Sequence, residues 1–262
     1  MNTYFFAPQT EVQALFNTRY KFYRIGNKTI LAEVMTFENP IFNPNGLEKR
    51  TPHPQAQKNF PDFEEFEKCE EDYERSKTIA INRARKRVFD LCANNAECDL
   101  FCTLTLDPKQ ISRTEWCDIV PKLSTWLDNR VRRNGLKYIL VPEHHKDGEA
   151  IHFHGVMNAS ALKLADSGKL DKGKTVFNIV SWKYGFTTAK RIGETEQDRI
   201  AATKYICKYL SKENERIGGR YYFHGGELAE PFYRYANTNF SISEGFEMAF
   251  GSGVRAKIHS CI

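Results

Sequence analysis

Alternation of apolar and polar positions gives the first structural reading of the chain. In LFCTLTL (Leu100–Leu106), Phe101, Thr103 and Thr105 alternate with Cys102, Leu104 and Leu106, which predicts a half-buried strand closed by Asp107-Pro108. Further on, YILVPEHH runs into Lys146-Asp147-Gly148 and EAIHFHGVMN runs out, a hairpin pattern with Asp-Gly as a two-residue turn. After a polar loop, the β-branched run TVFNIVSW predicts another strand. Helical spacing marks 62–94 (one or two helices), 112–134 (interrupted by a proline and ended by Asn134-Gly135) and 195–213, where Thr195 stands as an N-cap. Residues 1–60 carry Pro-Asn punctuation and predict loops and short strands; the last fifty or so residues carry little pattern.

The hairpin concentrates chemistry. With Asp147-Gly148 as the loop, Lys146 faces Glu149 and, three steps further out, Glu143 faces His152. His154 lies two residues along the same strand and so on the same face. One carboxylate and two imidazoles then share one side of a hairpin, a ligand set that leaves coordination positions open for catalysis. His145 faces that side as a further group and His144 faces away. A one-residue slip of register would exchange the faces.

The helix at 195–213 carries a second constellation. On a wheel of about 100° per residue, Tyr205 and Tyr209 lie about 40° apart, with Lys208 and Lys212 beside them and Ile200, Thr203, Cys207 and Leu210 opposite. Two tyrosines on the polar face of an amphipathic helix suit phosphoryl transfer: a phenol oxygen can attack a phosphodiester while neighbouring lysines neutralise charge.

Composition narrows the setting. Hydrophobic residues make up 41% and charged residues 27% of the 262, ordinary globular values, and no apolar run is long enough to span a bilayer. The start lacks a secretory pattern, so a cytoplasmic location, that of a host cell if phage-encoded, is expected. Seven cysteines without a CxxC pair argue against a zinc ribbon or a disulfide framework. The net charge of +5 is mild, but Arg130, Arg132, Arg133 and Lys137 cluster, and Lys204, Lys208 and Lys212 recur every fourth residue. Such groups suit phosphates, with Lys204, Lys212, Arg132 and Arg133 as candidate DNA contacts.

Taken together, FCTLTLDP (Phe101–Pro108), Glu143 with IHFHG (Ile151–Gly155), and YICKYLSK (Tyr205–Lys212) resemble, in order, the three motifs of the HUH endonuclease superfamily, specifically rolling-circle replication initiators of phages and plasmids. The Tyr-x-x-Lys pattern occurs twice in tandem, which resembles the two-tyrosine class. The resemblance implies an α+β fold with a central antiparallel sheet carrying the HxH site, flanked by helices and related to ferredoxin-like and RNA-recognition folds. It implies a metal-dependent, site-specific endonuclease and strand transferase acting on single-stranded or origin DNA, leaving a 5′-phosphotyrosine and a free 3′-OH primer. Position by position, Glu143, His152 and His154 would hold Mg²⁺ or Mn²⁺, Tyr205 and Tyr209 would be nucleophiles, with Tyr205 favoured for the first cut, and Lys208 would steady the phosphate. Host helicase and polymerase are the implied partners, and no membrane is expected among them. The matching region suggests an N-terminal extension at 1–95, a catalytic domain at 96–215 and a C-terminal extension at 216–262.

GKLDKGKT (Gly168–Thr175) satisfies a phosphate-loop pattern but precedes a strand-like run, which inverts the required strand–loop–helix order, so no nucleotide binding is expected. Two alternatives stay open from residues alone. One is a small metal-dependent hydrolase built on HxH, the other a non-catalytic single-strand binder whose tyrosines stack on bases.

Overall fold

A computed structural model describes residues 15–25, 29–42, 70–145, 150–210, 216–236, 247–250 and 254–261. The chain divides into two units, one of Met1–Phe22, Ile30–Glu67 and Phe232–Ile262, the other of Tyr23–Thr29 and Lys68–Pro231. The smaller unit is built on a five-stranded sheet to which both ends of the chain contribute. It uses β1 (Leu15–Ile25) and β2 (Thr29–Phe42) from the N-terminal region, and β10 (Phe232–Ala236), β11 (Glu247–Phe250) and β12 (Val254–Cys261) from the C-terminal region, in the order β10-β1-β2-β12-β11. β12 runs parallel to β2. These strands are longer and more numerous than the punctuated sequence at either end predicts.

The larger unit is α+β: three helices and a seven-stranded sheet whose paired strands run antiparallel. Its elements are α1 (Glu70–Asn94), β3 (Leu100–Thr105), α2 (Trp116–Asn134), β4 (Tyr138–His144), β5 (Ile151–Met157), β6 (Leu164–Asp171), β7 (Lys174–Ile179), β8 (Thr187–Arg191), α3 (Glu196–Lys208) and β9 (Phe223–Gly225), with strand order β6-β7-β8-β3-β5-β4-β9. Helix α1, which the sequence sets in an N-terminal extension, falls in this unit.

Alternation along the central strands assigns the two faces. Leu100, Cys102 and Leu104 of β3, with Leu140 of β4 and Phe153 of β5, pack with Ile119, Leu123, Trp126 and Leu127 of α2. Ile139 and Val141 of β4 and Val156 of β5 pack on the other face with Val88 and Leu91 of α1 and Ile206, Cys207 and Leu210 around the end of α3. Each large apolar side chain buried this way contributes about 1.5–3 kcal/mol, against at most about 1 kcal/mol for an exposed ion pair. Packing therefore fixes where the helices lie.

Local chemistry explains the element ends. α2 starts at Trp116, later than its helical pattern, because the Ser112 hydroxyl accepts from the Thr114 and Glu115 N–H groups in a preceding turn. Pro121 lies within the helix, and Gly135 ends it in the left-handed conformation (φ 66°). Thr195 caps α3, its hydroxyl accepting from the Asp198 N–H at 3.1 Å. α3 stops before its pattern does, with Tyr209 as the C-cap. The polar loop before TVFNIV is instead strand β6. GKLDKGKT forms the β6–β7 hairpin, turned at Lys172 (φ 50°) and Gly173 (φ 77°) between paired Asp171 and Lys174. None of the described helices is long and apolar enough to cross a membrane.

Candidate active site on the antiparallel sheet

The site begins with the register of β4 and β5. Glu143 pairs with His152 and Val141 with His154, the pairing read from the sequence, and the His145 N–H donates to the Ala150 carbonyl at 2.6 Å. The Asp147-Gly148 turn lies outside the described residues. Gly155, after the second histidine, permits this approach: a Cβ there would overlap the Ile139 carbonyl oxygen. On the far side of β5, Thr103 faces His154 and Thr105 faces His152.

His154 is held at both ring nitrogens. Nε2 lies 3.1 Å from Glu143 Oε2, and Nδ1 lies 3.0 Å from Thr103 Oγ1. Burial, reinforced by neighbouring His152, lowers the His154 pKa to about 4. The Glu143 contact at neutral pH is therefore a hydrogen bond from a neutral imidazole, with Nε2–H donating and the Thr103 hydroxyl donating to Nδ1. The opposite tautomer, with a bare Nε2, is equally served because the same hydroxyl can accept from Nδ1–H.

The side chains of the expected ligand set share this face without closing on one point. The His152 ring lies 6.2 Å from the His154 ring and 4.9 Å from that of His145. Among the described residues, no three His, Cys, Asp or Glu side chains form a closed group. The donor types nevertheless fit a divalent cation, since a carboxylate and a neutral imidazole already converge and a second imidazole stands one step along the strand.

Helix α3 delivers the tyrosines. Thr203, Ile206, Cys207 and Leu210 are buried, while Lys204, Tyr205 and Lys208 are exposed, so the two sides of the wheel separate as the spacing requires. Arg85 of α1 donates to the Leu210 carbonyl and anchors the chain just past Tyr209. The Tyr209 ring stacks flat on His154, with centroids 4.0 Å apart and planes within 2°. Tyr205, half exposed, lies edge-on to Tyr209 at 5.3 Å and packs beside Phe101 of β3 at 5.4 Å. Burial raises the Tyr209 pKa above the usual phenol value, and a hydrogen bond with Tyr205 and the Glu143 charge push the same way.

The remaining candidates are placed less centrally. Lys204 and Lys208 are exposed on α3, and Lys212 lies outside the described residues. Arg132 and Arg133 are exposed in the last turn of α2, the helix packed on the opposite sheet face. Sequence patterns alone assign Thr103 and Phe101 no individual role. Their alternation is visible, but their partners depend on the β3–β5 register and the docking of α3, which a single strand's pattern does not carry.

An α+β domain that lays a tyrosine-bearing helix end against a His-x-His strand defines a class in which phenol oxygens and metal-ligand side chains share one sheet face. Residues 99–214 match the family of the phage-type replication-associated protein ORF2, and this segment is a domain of that family. The match begins one residue before β3 and runs past the end of α3, so it takes in all three motifs. No curated protein and no solved structure gives a match.

Proposed function

We propose that this replication-associated protein initiates rolling-circle replication by nicking single-stranded or extruded origin DNA through a tyrosine nucleophile. The observation that carries the reading is the stack of Tyr209 on His154, with Tyr205 one turn away: both tandem tyrosines adjoin the Glu143–His154 pair. The domain would be of the ferredoxin-like or RNA-recognition-like kind that the resemblance implies.

In the proposed step a phenol oxygen attacks the scissile phosphorus. The Oη–P bond forms, the P–O3′ bond breaks, the phenol loses its proton and the departing 3′ oxygen gains one. The products are a 5′-phosphotyrosine and a 3′-hydroxyl from which a host polymerase extends, with a host helicase opening the duplex. The stack sets Tyr209 at the ligand set and supports it for the first attack, with Tyr205 as the acceptor that rejoins ends. Glu143, His152 and His154 would hold Mg²⁺ or Mn²⁺. A cation there would polarise a non-bridging phosphate oxygen and offset the Glu143 charge that favours the protonated phenol. Lys208 is assigned to the phosphate, and Lys204 and Lys212 to flanking backbone.

Nicking of an origin-strand oligonucleotide tests the reading. EDTA, His152→Ala and His154→Ala are each expected to cut the rate at least about a hundredfold, with single-strand binding retained. Undiminished cleavage in chelator would overturn the metal-assisted mechanism.

A further inference from the structure

One exposed aromatic on the site's own sheet face has no part in the chemistry above. The Phe186 N–H donates to the Thr105 carbonyl at 3.1 Å and the Thr105 N–H donates to the Phe186 carbonyl at 2.9 Å. Residues that exchange both bonds in an antiparallel pair stand directly opposite and point to the same face. Thr105 in turn stands opposite His152. Phe186 is therefore in line with the histidine, two strand spacings or roughly 10 Å away, yet its ring is 70% exposed. Its backbone is closely held: Gly185 lies so near the Thr105 carbonyl that a Cβ would overlap it, and the Asp107 N–H donates to the Tyr184 carbonyl at 2.9 Å. An exposed ring on a fully paired backbone is a preordered surface for stacking.

Beyond it the same face is basic. Lys190 stands opposite Phe101 and pairs with Asp171 at 2.5 Å, which brings Asp171 to this face. Lys174, opposite Asp171, and Lys169, two residues before it, share the side by register, and both are exposed. Three lysines against one aspartate suit a polyanion, and the exposed ion pair opens at little cost.

The geometry points to a track for one DNA strand: the face running from Phe101 and Phe186 across Lys190 to Lys174 and Lys169 carries the nucleotides adjoining the bond cut at the tyrosines. A single strand is specified because its bases are free to stack on Phe186, whereas those of a duplex are sequestered. The track rests on the nicking reading for its relation to the cut but is tested without cutting.

Binding of fluorescent oligothymidylate to the full chain is measured in EDTA across a salt series, with a duplex of equal length as control. Phe186→Ala is expected to weaken single-strand binding about tenfold with the salt slope unchanged, and Phe186→Trp to restore it. Lys169→Ala with Lys174→Ala and Lys190→Ala is expected to reduce the slope by about 0.7 for each phosphate no longer neutralised. Asp171→Asn is expected to tighten binding about two- to fivefold by unmasking Lys190. Wild-type affinity and slope in the Phe186→Ala and triple-lysine variants, or equal binding of the duplex, would overturn the track. A missing tyrosine adduct with these binding results intact would instead count against the nicking reading.

Discussion

Thr103 and Glu143 hold opposite ends of one imidazole, and that ring supports the face of Tyr209. A hydroxyl at Thr103 keeps His154 oriented in either tautomer; a methyl of the same shape cannot. Thr103→Val is expected to cost about 1 kcal/mol in stability and to weaken Mn²⁺ binding about ten- to a hundredfold, read by calorimetric titration; unchanged Mn²⁺ affinity would remove Thr103 from the site's support. The depressed His154 pKa gives a pH signature in metal-free protein. An unfolded histidine titrates near 6.5 and the folded one near 4, so between these values the unfolded chain binds the extra proton. Stability from this residue is full above about pH 6.5 and is lost as pH falls towards 4, by roughly 3 kcal/mol at most. His154→Gln is expected to flatten that part of the curve of denaturation midpoint against pH. A curve as steep as that of the wild type would show that another group carries it.

At the scale of elements, the β4–β5 ladder is the part of the site most sensitive to backbone geometry. Gly155→Ala drives a Cβ into the Ile139 carbonyl and is expected to cost about 1–3 kcal/mol, with nicking falling further than stability because His154 moves with its strand. Nicking that falls only in step with the folded fraction would show that the strand yields without displacing the ligand. The same ladder shows what a sequence can carry. The Glu143–His152 pairing is legible because turn and strands are contiguous and a two-residue loop leaves one register. The buried side of α3 is legible because helical spacing depends on the chain alone. β6 is hidden because an exposed strand with polar residues at most positions has no apolar alternation, and β8 (TTAKR) because it is short and polar. The early end of α3 at Tyr209 is equally hidden, since its pattern continues into YLSK. Contacts of Thr103, Phe101 and Phe186 depend on non-local pairing, and neither composition nor period reports that.

At the scale of the whole chain, the matched segment 99–214 lies inside the larger unit, while the sheet of the smaller unit draws strands from both ends. Basic residues fall on both faces of the larger unit's sheet. Arg132 and Arg133, on the α2 side, are assigned to general backbone contact away from the tyrosines. Replacing both with Ala is expected to lower the salt slope of binding by about 0.7–0.9 for each phosphate they neutralise, with adduct yield unchanged at saturating DNA; an adduct that disappears even at saturation would put them at the cut. The central claim is that the tandem tyrosines form the covalent link. Wild-type protein, Tyr205→Phe, Tyr209→Phe and the double variant are incubated with origin DNA and Mn²⁺, and trapped adducts are digested and mapped by mass spectrometry. The expected result is a 5′-phosphate on Tyr209, with some on Tyr205, reduced adduct in each single variant and none in the double variant. A double variant that still forms a tyrosine adduct, or wild-type cleavage without any adduct, would contradict the account.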